Sequence, residues 1–306
     1  MGGVTIAAIY CTGNTNMRWE GERQSDNVED RRSGAGGGGL GIGGRSIGVG
    51  TIVIALIGWG VFGINPLTTI GMLSGGGGAP QVQQAPASHP PQDDKQAAFV
   101  STVLASTEDV WSEIFRKGGA QYPAPRLVLF RGATPTACGT GQSAMGPFYC
   151  PGDHKVYLDM DFFDTMSRQL GAPGVFARAY VIAHEVGHHV QSVLGTTAKV
   201  DGMRGRISER EQNALSVRLE LQADCYAGIW AKYSQQAKNW LDQGDIESAV
   251  NAAQQIGDDT LQRKSTGTVR PDAFTHGSSA QRVRWFTQGY QSGSLQSCDT
   301  FNARSL

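Results

Sequence analysis

Two histidines flank a glutamate in the segment His184-Glu185-Val186-Gly187-His188. In an α-helix, positions i and i+4 lie on one face, so both imidazoles can reach the same ion. The glutamate that follows the first histidine can then act on a water molecule instead of binding the ion. This H-E-x-x-H pattern predicts a catalytic zinc site on a helix. The alternative is a helix whose histidines are ordinary surface or core residues.

The residues around this motif predict a helix. Residues 171–174 contain two glycines and a proline, which form a helix start signal, and apolar residues recur at helical spacing from Val175 to Val193. His189 points about 100° away from His188 and is a poor ligand candidate. Gly187 either lets a second element approach the ion closely or is an ordinary helix glycine.

A catalytic zinc ion needs a third protein ligand and one position left for water. One class of enzyme takes that ligand from a histidine six residues after the motif, but the residue there is Leu194. A second predicted helix, about Ser208 to Ser234, carries Glu220 and Asp224 at positions i and i+4. We expect Glu220 to bind the ion and Asp224 to accept the second N–H of a histidine ligand. The alternative is a solvated helix face, which the apolar neighbours disfavour.

With these motifs the chain resembles the neutral zinc metallopeptidases of bacteria, which are single-pass membrane proteins of the zincin type. The resemblance implies an α+β fold: a mostly helical, zincin-like metallopeptidase domain with a small β-sheet, preceded by one transmembrane helix. It also implies one catalytic Zn²⁺ ion and a peptide or protein substrate. The matching stretches are Met17 to Glu20, Gly146 to Pro151, His184 to Gln191, Glu220 to Gly228 and Cys298 to Phe301.

A further catalytic histidine is implied by the likeness to the wider gluzincin group, in which a later histidine stabilises the oxyanion. His276 would fill that place in this chain. The alternative is a solvated loop histidine, because sequence position alone does not bring a donor within reach of an oxyanion. We expect Arg282 to pair with an acid near the site. His89 and His154 have no companion ligands at useful spacing, so both are predicted to be solvated.

The hydrophobic pattern predicts a catalytic domain at residues 96–306 in which helices dominate. Trp240, Trp285 and Phe286 are predicted core residues, and the polar segment 264–277 is predicted to form a mobile rim over the cleft. Besides the two site helices, the pattern predicts helices at about Ala97 to Lys117, Ile246 to Arg263 and Ala280 to Tyr290, and strands at Arg126 to Arg131 and Lys155 to Asp159.

An uncharged apolar stretch of 19 residues, Ser46 to Ile64, is close to the minimum length for crossing a bilayer. A buried core helix is the alternative, but the low-complexity flanks could not pack around it. We therefore predict a membrane anchor at residues 46–66, between a cytoplasmic, largely disordered Gly-rich segment at residues 1–45 and a Gly/Pro-rich linker at residues 67–95. The family resemblance indicates that residues 1–16 are an upstream start-site extension.

Basic residues set the predicted orientation of this anchor. Arginines precede it at positions 18, 23, 31, 32 and 45, whereas the first basic residue after it is Lys95. The positive-inside rule then places the N-terminus in the cytoplasm and the catalytic domain outside the plasma membrane of a bacterium. The net charge of −1 gives no electrostatic argument for binding nucleic acid. The sequence leaves the oligomeric state open.

Four of the five cysteines lie in the predicted catalytic domain, and Cys11 stands apart. The four are consistent with an oxidising compartment, in which disulfides persist. Cys138 and Cys150 are separated by a Gly-rich segment that can turn back, and Cys225 could join the second site helix to Cys298 in the C-terminal tail. Four cysteines allow three pairings, so this pairing is a hypothesis. Cys225 could equally be a small buried apolar residue.

Together these features predict a membrane-anchored zinc endopeptidase. His184, His188 and Glu220 would hold the ion, and Glu185 would act as the general base. One alternative is a non-catalytic, zinc-stabilised binding scaffold outside the cytoplasm. Another is an amidase that acts on cell-wall peptides and shares the same chemistry.

Overall fold

The computed structural model describes residues 17–32, 88–91, 93–142, 146–242 and 244–306. The predicted anchor at residues 46–66, most of the predicted linker and residues 1–16 lie outside these ranges. Within the described part of the chain, no helix combines the length and the apolar composition that a membrane span requires. The described residues form an α+β fold that is mostly helical, with a four-stranded sheet and a two-stranded hairpin.

The elements follow one another along the chain with the strands concentrated in its first half. The strands are β1 Val28–Asp30, β2 Arg126–Phe130, β3 Ala133–Thr136, β4 Gly139–Gln142, β5 Phe148–Cys150 and β6 Lys155–Asp159. The α-helices are α1 Lys95–Lys117, α2 Phe162–Thr165, α3 Val175–Val193, α4 Thr196–Asp201, α5 Glu209–Lys238, α6 Asp245–Gln255, α7 Asp258–Ser265 and α8 Ser279–Ser292. A π-helical turn, Met166–Leu170, follows α2, and 3₁₀ turns lie at Pro271–Ala273 and Leu295–Cys298.

The main sheet has the strand order β1-β2-β6-β5. Strands β1, β2 and β6 are parallel, and β5 pairs antiparallel with β6 at the edge. The predicted strands at residues 126–131 and 155–159 correspond to β2 and β6. The hairpin of β3 and β4 was not predicted, because its threonines, glycines and proline show no apolar alternation. Its tip carries Cys138, which the structure joins to Cys150 in β5.

Residues 17–32 are part of this fold, which corrects the prediction that residues 1–45 form a separate, largely disordered segment. Strand β1 extends the sheet through hydrogen bonds with β2, and Met17 is buried in the core. The backbone N–H of Arg18 donates to the carbonyl of Trp240 over 2.7 Å. The Gly-rich run that begins at residue 34 suggested disorder for the whole N-terminal segment. Residues 17–32 precede that run, and they supply a buried strand and several ion-pairing side chains.

Strand β1 is fixed to the domain by charge as well as by backbone pairing. Glu29 accepts hydrogen bonds from Arg31, Arg126 and Lys155 at 2.8 to 3.1 Å. Burial alone would raise the pKa of Glu29, but these three partners lower it to about 2. The carboxylate is therefore fully ionised near neutral pH and neutralises part of the surrounding positive charge.

The helices pack around α3 and α5. Helix α5 begins with a capping box, in which Ser208 and Glu211 exchange side-chain and backbone hydrogen bonds. Helices α5 and α8 approach so closely that a Cβ atom added to Gly289 would lie 1.9 Å from the Cys225 carbonyl oxygen. The predicted core residues Trp240, Trp285 and Phe286 are buried, as expected.

The single helix predicted at residues 246–263 is wrong, because the chain forms two helices there. Gly257 separates α6 from α7 with an extended backbone, and a Cβ atom at this position would lie 2.5 Å from the Ser279 nitrogen. A periodic apolar pattern continues through such a break, so the pattern alone does not reveal it. The break places Asp258 at the start of α7, where it contacts the predicted site.

Candidate metal centre

Helix α3 carries the H-E-x-x-H motif near its middle. It begins after Gly174, whose φ of 125° is favourable for glycine and strained for other residues. His184 and Glu185 are buried and His188 is half-buried, while Val186 and Val190 pack into the core. The apolar stripe therefore fixes the rotation of the helix, and this rotation points the two ligand candidates toward α5.

Helix α5 brings Glu220 to these histidines. Its carboxylate oxygens lie 3.2 Å from His184 Nε2 and 3.5 Å from His188 Nε2. The approach depends on Gly187, because a Cβ atom there would lie 3.0 Å from the Ala223 carbonyl oxygen on α5. The geometry therefore supports the interpretation that Gly187 lets a second helix approach closely, and not that it is an ordinary helix glycine.

The donor atoms of His184, His188 and Glu220 fit a zinc ion. All three atoms lie within 4.8 Å of one another, and this is the one such cluster among the described residues. Tetrahedral ligands about 2.0 to 2.1 Å from an ion are about 3.4 Å apart, close to the two His-to-Glu distances. Each histidine also has its Nδ1 occupied by another side chain, which leaves Nε2 directed at the shared point. Two histidines and one glutamate are a known catalytic zinc ligand set.

Asp224 lies one helical turn beyond Glu220 and holds His184. Its Oδ1 atom is 2.8 Å from His184 Nδ1 and accepts a hydrogen bond from the Tyr180 hydroxyl over 2.5 Å. Arg282 donates to both Asp224 oxygens over 2.9 Å. The structure thus places Asp224 beside His184 and pairs Arg282 with Asp224. The contact of Tyr180 with Asp224 was not predicted. The sequence signal for it was the position of Tyr180 one helical turn before His184.

Charge interactions dominate this buried cluster. Burial raises the pKa of Asp224, but the positive charges of Arg282 and His184 outweigh burial and lower it. Burial would lower the pKa of His184, but Asp224 raises it to about 10. Burial would likewise raise the pKa of Glu220, but His188 and His276 hold it well below its usual range. The site therefore keeps an ionised carboxylate ready for a cation.

Glu185 lies beside the ligands on the same helix and is only 7% exposed. Burial raises the pKa of Glu185 above its ordinary value, although His184 and His188 oppose this effect. A carboxylate of raised pKa is a better proton acceptor at neutral pH. Its position and its basicity both suit a general base.

His276 belongs to a short loop that Asp258 holds in place. Asp258 Oδ2 accepts the backbone N–H groups of Thr275, His276 and Gly277 at 2.7 to 3.1 Å. The imidazole Nδ1 lies 3.3 Å from Asp258 Oδ1, and its other neighbour is the Thr275 hydroxyl. Burial would lower the pKa of His276, but Glu220 and Asp258 raise it. His276 is half-buried, and the alternative of a fully solvated histidine is therefore wrong. The predicted mobility of segment 264–277 stays a prediction.

The remaining histidines and cysteines are placed clearly. His189 is buried away from the ligands, with its Nε2 atom 2.6 Å from the Pro123 carbonyl oxygen and its Nδ1 atom 3.2 Å from the Tyr149 hydroxyl. His154 also contacts that hydroxyl, so the prediction that it is solvated is only partly right. Disulfides join Cys138 to Cys150 and Cys225 to Cys298, which is the pairing hypothesised from the sequence.

This donor set, two histidines on one helix and a glutamate on the next, is of the class that zinc metallopeptidases use. The chain belongs to the family described as "Putative neutral zinc metallopeptidase", whose model matches residues 17–301. It is 50% identical to "Uncharacterized protein YpfJ" of Escherichia coli (strain K12), over 93% of this chain and 99% of the relative. It is also 44% identical to "Uncharacterized protein Rv2575" of Mycobacterium tuberculosis (strain ATCC 25618 / H37Rv), over 66% of this chain and 69% of the relative. No solved structure matches the chain.

Proposed function

We propose that the protein is a zinc-dependent endopeptidase in which Glu185 is the general base. One observation carries the proposal: three ligand atoms from two helices converge within 4.8 Å, next to a buried carboxylate that is not one of them. A purely structural zinc site needs no such base and usually closes its fourth position with protein. The buried Glu185 therefore favours an enzyme over a zinc-stabilised scaffold.

His184, His188 and Glu220 would hold the ion in this proposal. A zinc ion bound there supplies a Lewis acid that activates water and polarises the scissile carbonyl. Glu185 accepts the proton of the attacking water and delivers it to the leaving amine. His276 donates a hydrogen bond to the developing oxyanion through Nε2, because Asp258 lies beside the other ring nitrogen.

The zincin-like character of the domain is part of the same proposal. Strand β5 lies at the edge of the sheet, and its residue Tyr149 contacts His189 of the zinc helix α3. An extended peptide that paired with this edge would run close to the metal ligands. The short length of β5 limits such pairing to a few residues, so side-chain pockets would supply the remaining specificity.

The deciding experiment is Glu185→Gln in the full chain. We expect the variant to keep one zinc ion per chain, measured by elemental analysis, and to lose at least about 100-fold in peptide cleavage, because proton transfer to a positioned base contributes that much. Mass spectrometry of products from a peptide library gives the rate. Glu247→Gln, an exposed change on α6, is the matched control and should cleave normally.

Two results would overturn the proposal. Full proteolysis by Glu185→Gln with zinc retained would remove Glu185 as the base. Failure of the zinc-loaded native chain to cleave any peptide in the library would instead support the scaffold.

A further inference from the structure

Gln191 connects the two site helices beside His188. It lies at the next turn of α3, its side chain is completely buried, and its Oε1 atom is 2.9 Å from His188 Nδ1. Its Nε2 atom donates to the carbonyl oxygen of Leu219, over 2.7 Å, and to Gln222 Oε1, over 3.1 Å. Leu219 directly precedes the ligand Glu220. One amide therefore contacts a metal ligand on α3 and the backbone that carries another on α5.

The direction of these hydrogen bonds is fixed from outside the site. The Cys298 carbonyl can only accept, so the Gln222 amide presents its NH₂ group to it, over 3.0 Å, and its oxygen to Gln191. The Leu219 carbonyl also only accepts. Both neighbours require Gln191 to turn its own NH₂ group toward α5 and its oxygen toward His188.

This orientation determines the tautomer of His188. An amide oxygen can only accept, so His188 Nδ1 must carry the proton. In the neutral imidazole that a metal ligand requires, Nε2 then carries the lone pair, and this atom is the one that faces Glu220 at 3.5 Å. The hydrogen bonds therefore form one chain in which each group donates to the next. It runs from His188 through Gln191 and Gln222 to the carbonyl oxygen of Cys298.

We propose that Gln191 is the positioning residue for His188: it fixes the Nδ1–H tautomer and holds α3 to α5 at the ligands, with Gln222 and the Cys298 carbonyl setting its orientation. This inference rests on the zinc site of the proposed function. The two histidines are thus held differently. His184 is held by the carboxylate of Asp224, whose charge Arg282 offsets, whereas His188 is held by a neutral amide.

The test compares zinc affinity among variants of the full chain. Gln191→Met keeps the length and apolar volume of the side chain but removes both the acceptor and the donor. We expect its zinc dissociation constant, measured by competition with a chromogenic chelator, to rise about 10- to 100-fold. Gln222→Met should raise it less, because Leu219 still orients Gln191. Gln236→Met, an exposed change on α5, should leave it unchanged.

A spectroscopic measurement separates positioning from a general structural role. In the native zinc-loaded protein, ¹⁵N-edited NMR should show a protonated, slowly exchanging Nδ1 of His188. This resonance should lose its protection in Gln191→Met, while that of His184 persists. The native spectrum alone tests the tautomer, so the inference stays falsifiable if the variant does not fold.

The outcomes distinguish this inference from the function on which it rests. Native zinc binding with an unchanged affinity in folded Gln191→Met, or an unprotonated Nδ1 in the native protein, would overturn the role of Gln191 and leave the zinc site intact. A native chain that binds no zinc would overturn the metal centre, and the role of Gln191 with it.

Discussion

Asp224 and Arg282 form a completely buried ion pair directly behind His184. Their side chains are 0% and 3% exposed, and two hydrogen bonds of 2.9 Å join them. Removing two charges from water is costly, and only close pairing with further hydrogen bonds offsets that cost. Tyr180 and His184 supply those bonds to Asp224. The pair therefore gives His184 a fixed acceptor while it adds no net charge to the ligand cluster.

Arg282→Met should destabilise the protein because it leaves the Asp224 carboxylate buried without its cation. We expect a loss of about 3 to 5 kcal/mol in the free energy of unfolding, measured by denaturant titration. Arg284→Met, an exposed change on the same helix, should cost little. Adding Asp224→Asn should restore part of the loss, because the uncompensated charge disappears. No recovery in the double variant would contradict this explanation.

Among the elements, the contact of α3 with α5 matters most to the site. The helices meet where Gly187 faces the Ala223 backbone, with 3.0 Å between the position of an added Cβ atom and the carbonyl oxygen. Backbone atoms cannot move aside as a flexible side chain can. The distances from Glu220 to the histidines therefore depend on the absence of a side chain at position 187.

Gly187→Ala should weaken zinc binding more than it weakens the fold. The added methyl group separates the helices by a few tenths of an ångström at a cost of about 1 to 3 kcal/mol, and the better helix propensity of alanine offsets about 1 kcal/mol of the loss in stability. We expect roughly tenfold weaker zinc binding with a small change in thermal stability. Gly289→Ala, where the clash is much shorter, should instead unfold the protein readily. Native zinc affinity in Gly187→Ala would show that the helix separation is not critical.

The sequence predicted which side chains the structure brings together at this cluster because those residues repeat at helical spacing. His184, His188, Glu220 and Asp224 follow from two i, i+4 pairs, and the buried faces of both helices orient them. Tyr180 lies four residues before His184 and Gln191 three residues after His188, so both share the helix face of the site, but spacing alone does not assign them a role. The partnership of Asp258 with His276 depends on the break at Gly257, which periodicity does not show.

At the scale of the whole molecule, the N-terminal segment bears on the predicted membrane topology. The backbone of Asn27 and Arg31 exchanges hydrogen bonds of 2.8 Å with β2, and Asp30 pairs with Ser88. The described residues on the two sides of the undescribed range 33–87 therefore lie close together. A single crossing between these points would put the hydrogen-bonded partners on opposite faces of a bilayer about 30 Å thick in its core. The topology with residues 17–32 inside and the domain outside stays a prediction, and this pairing argues against it.

We therefore expect residues 17–32 and the catalytic domain to lie on the same side of any membrane to which the chain attaches. Single cysteines introduced by Glu20→Cys and Lys117→Cys, in a Cys11→Ser background, mark the two regions at exposed positions. In spheroplasts, a membrane-impermeant maleimide should label both variants or neither, and detergent should make both reactive. Labelling of one variant alone would mean that β1 is not paired with β2 in the membrane-attached protein. That result would support the topology predicted from the basic residues, with the N-terminus in the cytoplasm and the domain outside. The pairing of β1 with β2 is the contact that argues against this topology.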